Sequence, residues 1–156
     1  MPVVATPTRT RRIHTDTVLG GYRVAGSLTT ALAGSNNDLV FTGTQGNASD
    51  NDVSITYVVA GNSTPLSVTT SGKDITVNVA TNGGGTATST AAQVTTAIRA
   101  NLVANSLVTI ANAASNDGTG VVTALAKTNL TSGVSYTIGQ GGGGIARVQA
   151  PNPPRA

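Results

Sequence analysis

The sequence has no cysteine, no tryptophan and no glutamate, and its 156 residues include only one histidine. Without cysteine, a disulfide framework, a zinc–thiolate site and an iron–sulfur centre are all excluded. The single histidine, His14, and the absence of glutamate leave little of the side-chain inventory that acid–base catalysis uses. The sequence therefore predicts a protein that is not an enzyme and that needs no cofactor.

Long apolar runs are also absent. No stretch approaches the about 20 apolar residues that a membrane-spanning helix needs, so we expect no membrane partner. The N terminus has arginines after a short apolar stretch and lacks the apolar run of a secretory signal. Only 10% of the residues are charged, so threonine, serine, asparagine and 19 glycines must cover much of the surface. The expected class is a single threonine-rich, glycine-rich β domain.

The few charges that exist are segregated along the chain. Residues 1–25 carry a net charge of +3 and residues 140–156 carry +2, whereas residues 26–139 carry −2. Such asymmetry bears on partners and not on fold. The basic ends predict contact with a partner that is anionic or rich in carbonyl acceptors.

Composition divides the chain into three segments. Residues 1–35 contain prolines and glycines without a sustained apolar period, and we interpret them as an extended N-terminal arm. Residues 36–138 are strongly patterned and form the expected domain. Residues 139–156 begin with a glycine-rich hinge and end in a proline-rich stretch, which favours a second extended arm.

The patterned segment predicts a small α+β fold. Alternating apolar and polar residues indicate strands at residues 38–42, 52–59, 66–69, 74–79, 107–110 and 121–125. The turn-rich residues 70–73 predict a hairpin. Apolar residues at three- or four-residue spacing predict one helix from Ser89 to about Ala104, with Thr90 and Gln93 at capping-box spacing. We expect a mainly antiparallel β-sheet domain with one covering helix, flanked by the two arms.

Two other motifs favour turns over ligand sites. Neither glycine-rich segment, residues 82–85 or 139–144, is followed by the Lys-Ser/Thr pair of a phosphate loop. The run Asp50-Asn51-Asp52 lacks the carboxylate spacing of an EF-hand, and such residues at strand starts commonly accept backbone hydrogen bonds. We therefore predict no metal or nucleotide site at these positions.

Arg9, Arg11 and Arg12 form the densest charge cluster. A nucleic-acid arm is one interpretation, because basic segments gain affinity by releasing counterions. The cluster has only three arginines, no lysine and no aromatic ring that would stack on a base, so protein docking is favoured. A solvated tail remains the alternative without a function.

The middle of the chain resembles a known structural module. The runs SGKDITVNVAT, TSTAAQV and NDGTGVVTA, within about residues 36–133, are similar to a module of tailed-bacteriophage virion proteins, most like the proteins that decorate the outside of the head. The resemblance covers nearly two thirds of the chain and supplies no catalytic residue. The two arms fall outside it.

The resemblance implies a capsid decoration, or cement, protein on the outer surface of the virion, made in the bacterial cytoplasm. Its partners would be the major capsid protein and copies of itself, with a trimer implied by other decoration proteins. The residues expected to bind the capsid or a partner are Arg9, Arg11, Arg12, Ile13, Val18, Leu19, Arg23, Arg147, Val148 and Arg155. One alternative is a tail or fibre module that binds a host glycan, with Tyr57 among its exposed polar residues. A second alternative is an internal protein that contacts DNA.

Overall fold

Alternation of β-branched and polar residues produces a fold built mainly of short strands. The computed structural model describes residues 22–136. The strands of this part are β1 Tyr22–Val24, β2 Ser27–Thr29, β3 Leu39–Gly43, β4 Ser54–Val58, β5 Ser67–Ser71, β6 Asp74–Asn78, β7 Val108–Asn112, β8 Leu125–Asn129 and β9 Val134–Tyr136. A 3-10 helix, Ala48–Asp52, precedes β4, and the helices α1 Ala91–Ala100 and α2 Leu102–Leu107 precede β7. The coarse prediction of a mainly β, α+β domain with one main helix is confirmed.

The strands form three sheets within the described residues. A four-stranded sheet has the order β5-β6-β4-β8, a three-stranded sheet has the order β2-β3-β7, and β1 pairs with β9 in a two-stranded ribbon. Every pairing between these strands is antiparallel except β4 with β6. The predicted hairpin is confirmed as β5 and β6, joined through Gly72 and Lys73, with Gly72 at a φ of 58°.

Helix α1 packs against the core with the face that carries its apolar residues. Its buried residues are Ala91, Val94 and Ile98. The predicted capping box closes its N terminus, because the Gln93 N–H donates to the Thr90 hydroxyl and the Thr90 N–H donates to the Gln93 side chain. The side chains buried most deeply beneath α1 and between the sheets include Leu39, Phe41, Ile55, Tyr57 and Ile75.

The prediction of one continuous helix to Ala104 is wrong. Asn101 leaves the helical conformation with φ −84° and ψ 107°, and its side chain accepts from the Ala104 N–H to cap α2. Its amide nitrogen also donates to the Val68 carbonyl at 3.0 Å. The helix breaks at Asn101 because the side chain of this residue both caps α2 and binds β5.

The predicted strand at residues 121–125 is also misplaced. Val121 makes only an isolated bridge to Thr90, while Val122 is fully buried and its N–H donates to Ser89. The strand begins instead at Leu125 and runs along the edge of the four-stranded sheet. The apolar residues at 121–125 indicated burial, and Val122 is buried. They did not indicate the edge strand β8, which is mostly exposed.

The domain begins before residue 36. Strand β2 pairs with β3, so Leu28 lies opposite Phe41, and Thr30 is buried with its hydroxyl donating to Asp38 at 3.0 Å. Residues 22–35 therefore belong to the folded domain, whereas the sequence analysis placed them in an arm of residues 1–35. Strands of three residues are too short to show an apolar period. Residues 1–21 and 137–156 lie outside the described part of the chain.

Candidate functional site

The β1–β9 ribbon is the point where both terminal segments join the domain. Its antiparallel register places Tyr22 opposite Tyr136 and Val24 opposite Val134. Opposed residues of antiparallel strands have Cα atoms about 4.5–5.5 Å apart. The chain therefore enters the domain before Tyr22 and leaves it after Tyr136 at neighbouring positions.

Arg23 is the residue of the predicted binding set that lies in the described part of the chain. It is exposed at the middle of β1 and lies opposite Ser135 in the ribbon. The other nine residues of that set are Arg9, Arg11, Arg12, Ile13, Val18, Leu19, Arg147, Val148 and Arg155, all outside the described residues. The structure thus places one predicted binding residue at the base of both terminal segments.

The cations elsewhere in the described domain are already bonded within it. Lys73 donates to the Ser49 carbonyl at 2.8 Å and pairs with Asp52 at 3.2 Å. Lys127 pairs with Asp74 at 2.7 Å. Arg99 donates from Nη2 to the Ile110 carbonyl at 2.8 Å.

Arg23, by contrast, makes no ion pair or side-chain hydrogen bond with another residue between 22 and 136. Among the four cations of residues 22–136, Arg23 thus differs from Lys73, Arg99 and Lys127, whose side chains donate within this range.

A buried carboxylate anchors the base of the ribbon. Asp50 in the 3-10 helix is fully buried, and it accepts hydrogen bonds from the backbone N–H groups of Gly26 at 3.2 Å, Gln45 at 3.1 Å and Asn47 at 3.1 Å. These three hydrogen bonds satisfy the buried carboxylate oxygens. Since Gly26 follows the end of β1 by two residues, Asp50 ties that end of the strand to the loop between β3 and β4.

Asn51 holds the other strand of the ribbon. Its amide nitrogen donates to the Gly133 carbonyl at 2.9 Å, and its oxygen accepts from the Gly133 N–H at 2.8 Å. Two residues after Gly133, within β9, the Ser135 hydroxyl accepts from the Ala48 N–H at 3.1 Å. The 3-10 helix therefore binds the connections of both ribbon strands, and we call this arrangement, centred on Asp50 and Asn51, the ribbon clamp.

Close backbone approach in the clamp requires glycine. A Cβ atom at Gly43 would overlap the Asp50 carboxylate, and one at Gly133 would come within 2.6 Å of the Asn47 carbonyl. These distances are too short for any side chain. The positions of Asp50 and Asn51 in the clamp therefore require glycine at residues 43 and 133.

The predicted turn role of the Asp50-Asn51-Asp52 run is confirmed for Asp50. Sequence reasoning missed the clamp itself, because Gly26 lies 24 residues and Gly133 lies 82 residues from its partner along the chain. One local feature of the clamp was visible in the sequence: Asn47 and Asp50 are three residues apart, the spacing of a capping box. Both reciprocal hydrogen bonds of that capping box form in the structure.

Tyr57 cannot serve the exposed glycan site considered above. It is only 2% exposed and faces the core, as the alternation of its strand predicts. Its hydroxyl has no hydrogen-bond partner among residues 22–136. Burial raises the pKa of this phenol far above its usual range, with a smaller contribution from the Asp38 carboxylate.

Two surface carboxylates are held in the charged form by local donors. Hydrogen bonds from Lys127 and then Ser54 lower the pKa of Asp74. The Thr119 hydroxyl and backbone N–H lower the pKa of Asp117. No group of three or more His, Asp or Glu side chains gathers at one place in residues 22–136, and no helix in that range has the length and apolarity to cross a membrane.

Comparison with known proteins identifies no relative: no family model, curated protein or solved structure matches the chain.

Proposed function

We propose that this chain is an adhesive structural protein that decorates a phage capsid, binding its outer surface through the two basic terminal segments and Arg23. The observation that carries the proposal is the pairing of Tyr22 with Tyr136, which starts both segments from one place on the domain. The sequence resemblance of the middle segment to virion decoration modules supplies the class of partner.

Charge distribution supports adhesion through the ends. Residues 22–136 hold four basic and five acidic side chains, whereas the two terminal segments hold five arginines and one aspartate. Arginine forms bidentate hydrogen bonds with carboxylates, and its guanidinium can also donate to backbone carbonyl groups. The domain is thus nearly neutral, and the cations able to reach a partner lie at or beyond the ribbon.

Geometry supports simultaneous binding by both segments. A segment of 21 residues spans at most about 70 Å when extended, so each can reach a different capsid subunit from the shared starting point. Once one segment is bound, the other searches a restricted volume, and the second contact forms at high effective concentration. A force applied to the bound segments would pass from the ribbon clamp to the three-stranded sheet through the hydrogen bond between Gly26 and Gly43.

The test is cosedimentation of the full chain with empty, expanded phage heads. We expect the triple change of Arg9, Arg11 and Arg12 to alanine to weaken binding at least tenfold, and Arg23→Ala to weaken it measurably. Lys127→Ala removes a cation that is already paired with Asp74 and serves as the matched control. Binding that is unchanged in the triple variant would contradict the proposal, and equal binding to free duplex DNA would favour the nucleic-acid alternative.

Glycan binding by a tail or fibre module is the second candidate, and one surface favours it. Thr69, Thr76 and Thr56 lie side by side across β5, β6 and β4 on the face opposite the core. Phe41 and Tyr57 are buried and cannot stack on a sugar there. Binding of the chain to host surface polysaccharide, abolished by Thr76→Lys, would support this function over decoration.

A further inference from the structure

Asn82 begins a short glycine loop on the surface of the domain, and it is the one asparagine of the sequence that precedes a glycine. Its N–H donates to the Thr86 carbonyl at 2.9 Å and closes the loop. The N–H of Gly85, which has a φ of 79°, donates to the Asn82 carbonyl at 3.0 Å, so residues 82–85 form a tight turn. Asn82 and the two glycines that follow it are exposed, and water therefore reaches this part of the chain.

The side-chain carbonyl oxygen of Asn82 is held by two backbone donors. The Gly84 N–H donates to Oδ1 at 2.9 Å, and the Thr86 N–H donates to the same atom at 3.0 Å. Two N–H groups that converge on a carbonyl oxygen stabilise negative charge that develops there, as the donors of an oxyanion hole do in acyl transfer. The Cγ atom of Asn82 is therefore a carbonyl carbon activated toward a nucleophile.

The adjacent backbone supplies that nucleophile. A bond from the Gly83 nitrogen to Cγ of Asn82 closes a five-membered ring, which is a favourable ring size. The Gly83 N–H donates to no acceptor among residues 22–136, so its proton is open to removal by base. Glycine has no Cβ atom that would hinder the nitrogen, and the space beside it is open, because a Cβ atom built there would meet only Ser63 Oγ, at 3.8 Å.

We propose that Asn82 deamidates in the folded protein without an enzyme, through a cyclic imide formed with Gly83. Hydroxide removes the proton of the Gly83 N–H, the nitrogen attacks Cγ, and negative charge develops on Oδ1 between its two donors. The carbon–nitrogen bond of the carboxamide then breaks and ammonia leaves. Water opens the ring at either carbonyl: cleavage at Cγ gives aspartate at this position, and cleavage at the main-chain carbonyl gives isoaspartate. The net reaction consumes one water, releases one ammonia and needs no oxidant or reductant.

A second residue that precedes a glycine is not activated in this way. Asp117 precedes Gly118, and its Oδ1 atom accepts from the Thr119 N–H at 2.9 Å and from the Thr119 hydroxyl at 2.7 Å. These hydrogen bonds lower the pKa of Asp117, so its side chain is a carboxylate at neutral pH. Because the carbon of a carboxylate is a poor electrophile, Asp117 serves as an internal control for the reaction at Asn82.

The two products differ in their effect on the turn. Aspartate presents an oxygen to the same two N–H groups, and it adds a negative charge to residues 22–136, which hold four basic and five acidic side chains. Isoaspartate carries the chain through Cβ and Cγ and lengthens the turn by one backbone atom. The hydrogen bonds that join Asn82 to Thr86 and to Gly85 cannot both keep their geometry in that product, so we expect faster proteolysis within residues 82–86. The inference does not depend on capsid binding.

Incubation of the full chain at mildly alkaline pH, followed by peptide mass analysis, tests the proposal. We expect the peptide that contains residue 82 to gain about one mass unit and to become a substrate for an isoaspartyl methyltransferase, whereas the peptide that contains Asp117 should not be methylated. Gly83→Ala is the matched variant, because the fold has room for its methyl group. This methyl group hinders the attacking nitrogen and should slow the reaction at least tenfold.

Unfolding in guanidinium chloride tests the role of the two donors, because it removes their hydrogen bonds to Oδ1 and leaves the sequence unchanged. We expect the folded chain to lose Asn82 faster than the unfolded chain does. The proposal is overturned if residue 82 remains asparagine, or if Gly83→Ala reacts as fast as the original chain. It is also overturned if the folded chain reacts more slowly than the unfolded one, since the hydrogen bonds would then hold the carboxamide away from Gly83.

Discussion

Replacing Asp50 by alanine should loosen the ribbon from the domain. The substitution removes the acceptor of three backbone N–H groups while leaving the apolar core untouched. Gly26 is buried, so its N–H cannot find water after the change. Gln45 is exposed and Asn47 is half-buried, so their N–H groups can be hydrated in part.

The expected magnitude follows from these three groups. A buried donor left without a partner costs about 1–3 kcal/mol, and a hydrogen bond to a charged group contributes about 1.5–3 kcal/mol. Counting the Gly26 group in full and the other two in part, we expect the free energy of unfolding to fall by about 2–4 kcal/mol. Asp50→Asn retains the shape but turns one oxygen into a donor that faces backbone donors, so about half of this loss should remain.

Urea denaturation measures the effect, and limited proteolysis locates it. We expect cleavage between residues 22 and 27 to accelerate in Asp50→Ala before global unfolding occurs. Asp52→Ala is the matched control, because this neighbouring carboxylate is 71% exposed and its pairing with Lys73 is a surface ion pair worth at most about 1 kcal/mol. If Asp50→Ala lowers the unfolding free energy by no more than Asp52→Ala does, the ribbon clamp is not what anchors the ribbon.

Three smaller changes test other parts of the fold. Tyr57→Phe removes a buried hydroxyl that lacks a partner, so the unfolding free energy should stay constant or rise by up to about 1 kcal/mol; a loss above 1 kcal/mol by urea denaturation would reveal a partner for the hydroxyl. Thr90→Ala removes the α1 cap and should cost about 1 kcal/mol in the same assay, whereas Thr90→Ser should cost little. The lowered pKa of Asp74 means that its stabilising contribution is present above the unfolded-state pKa of about 4 and is lost as the pH falls through the lower folded-state value. Asp74→Asn should therefore flatten the decline of the unfolding free energy in acid, and an unaltered pH profile would contradict the hydrogen bonds from Lys127 and Ser54.

Local patterns predicted the parts of the fold that local interactions determine. The alternation around Ile55 placed β4, the turn residues placed the β5–β6 hairpin, and the capping box placed the start of α1. Each of these signals lies within a few residues of the structure it specifies. The alternation also assigned Tyr57 to the buried face, which is a better guide to its position than its polar hydroxyl.

The ribbon and its clamp could not be predicted in the same way. Strands β1, β2 and β9 have three residues each, too few for a period to be recognised. The contacts that hold them join Asp50 to Gly26 and Asn51 to Gly133, which only the tertiary fold brings together. The predicted arm boundary therefore fell at residue 35, where the longer strands begin, and not at the start of the short ones.

Most cations of residues 22–136 are used in contacts within the domain. Lys73, Lys127 and Arg99 satisfy acceptors within the domain, so recruiting any of them to a partner would sacrifice an internal contact. Arg23 makes no such contact with another residue between 22 and 136. Under the proposed function, each bound segment raises the effective concentration of the other because both start at one ribbon, and the loss of either should weaken attachment by more than its own contacts supply.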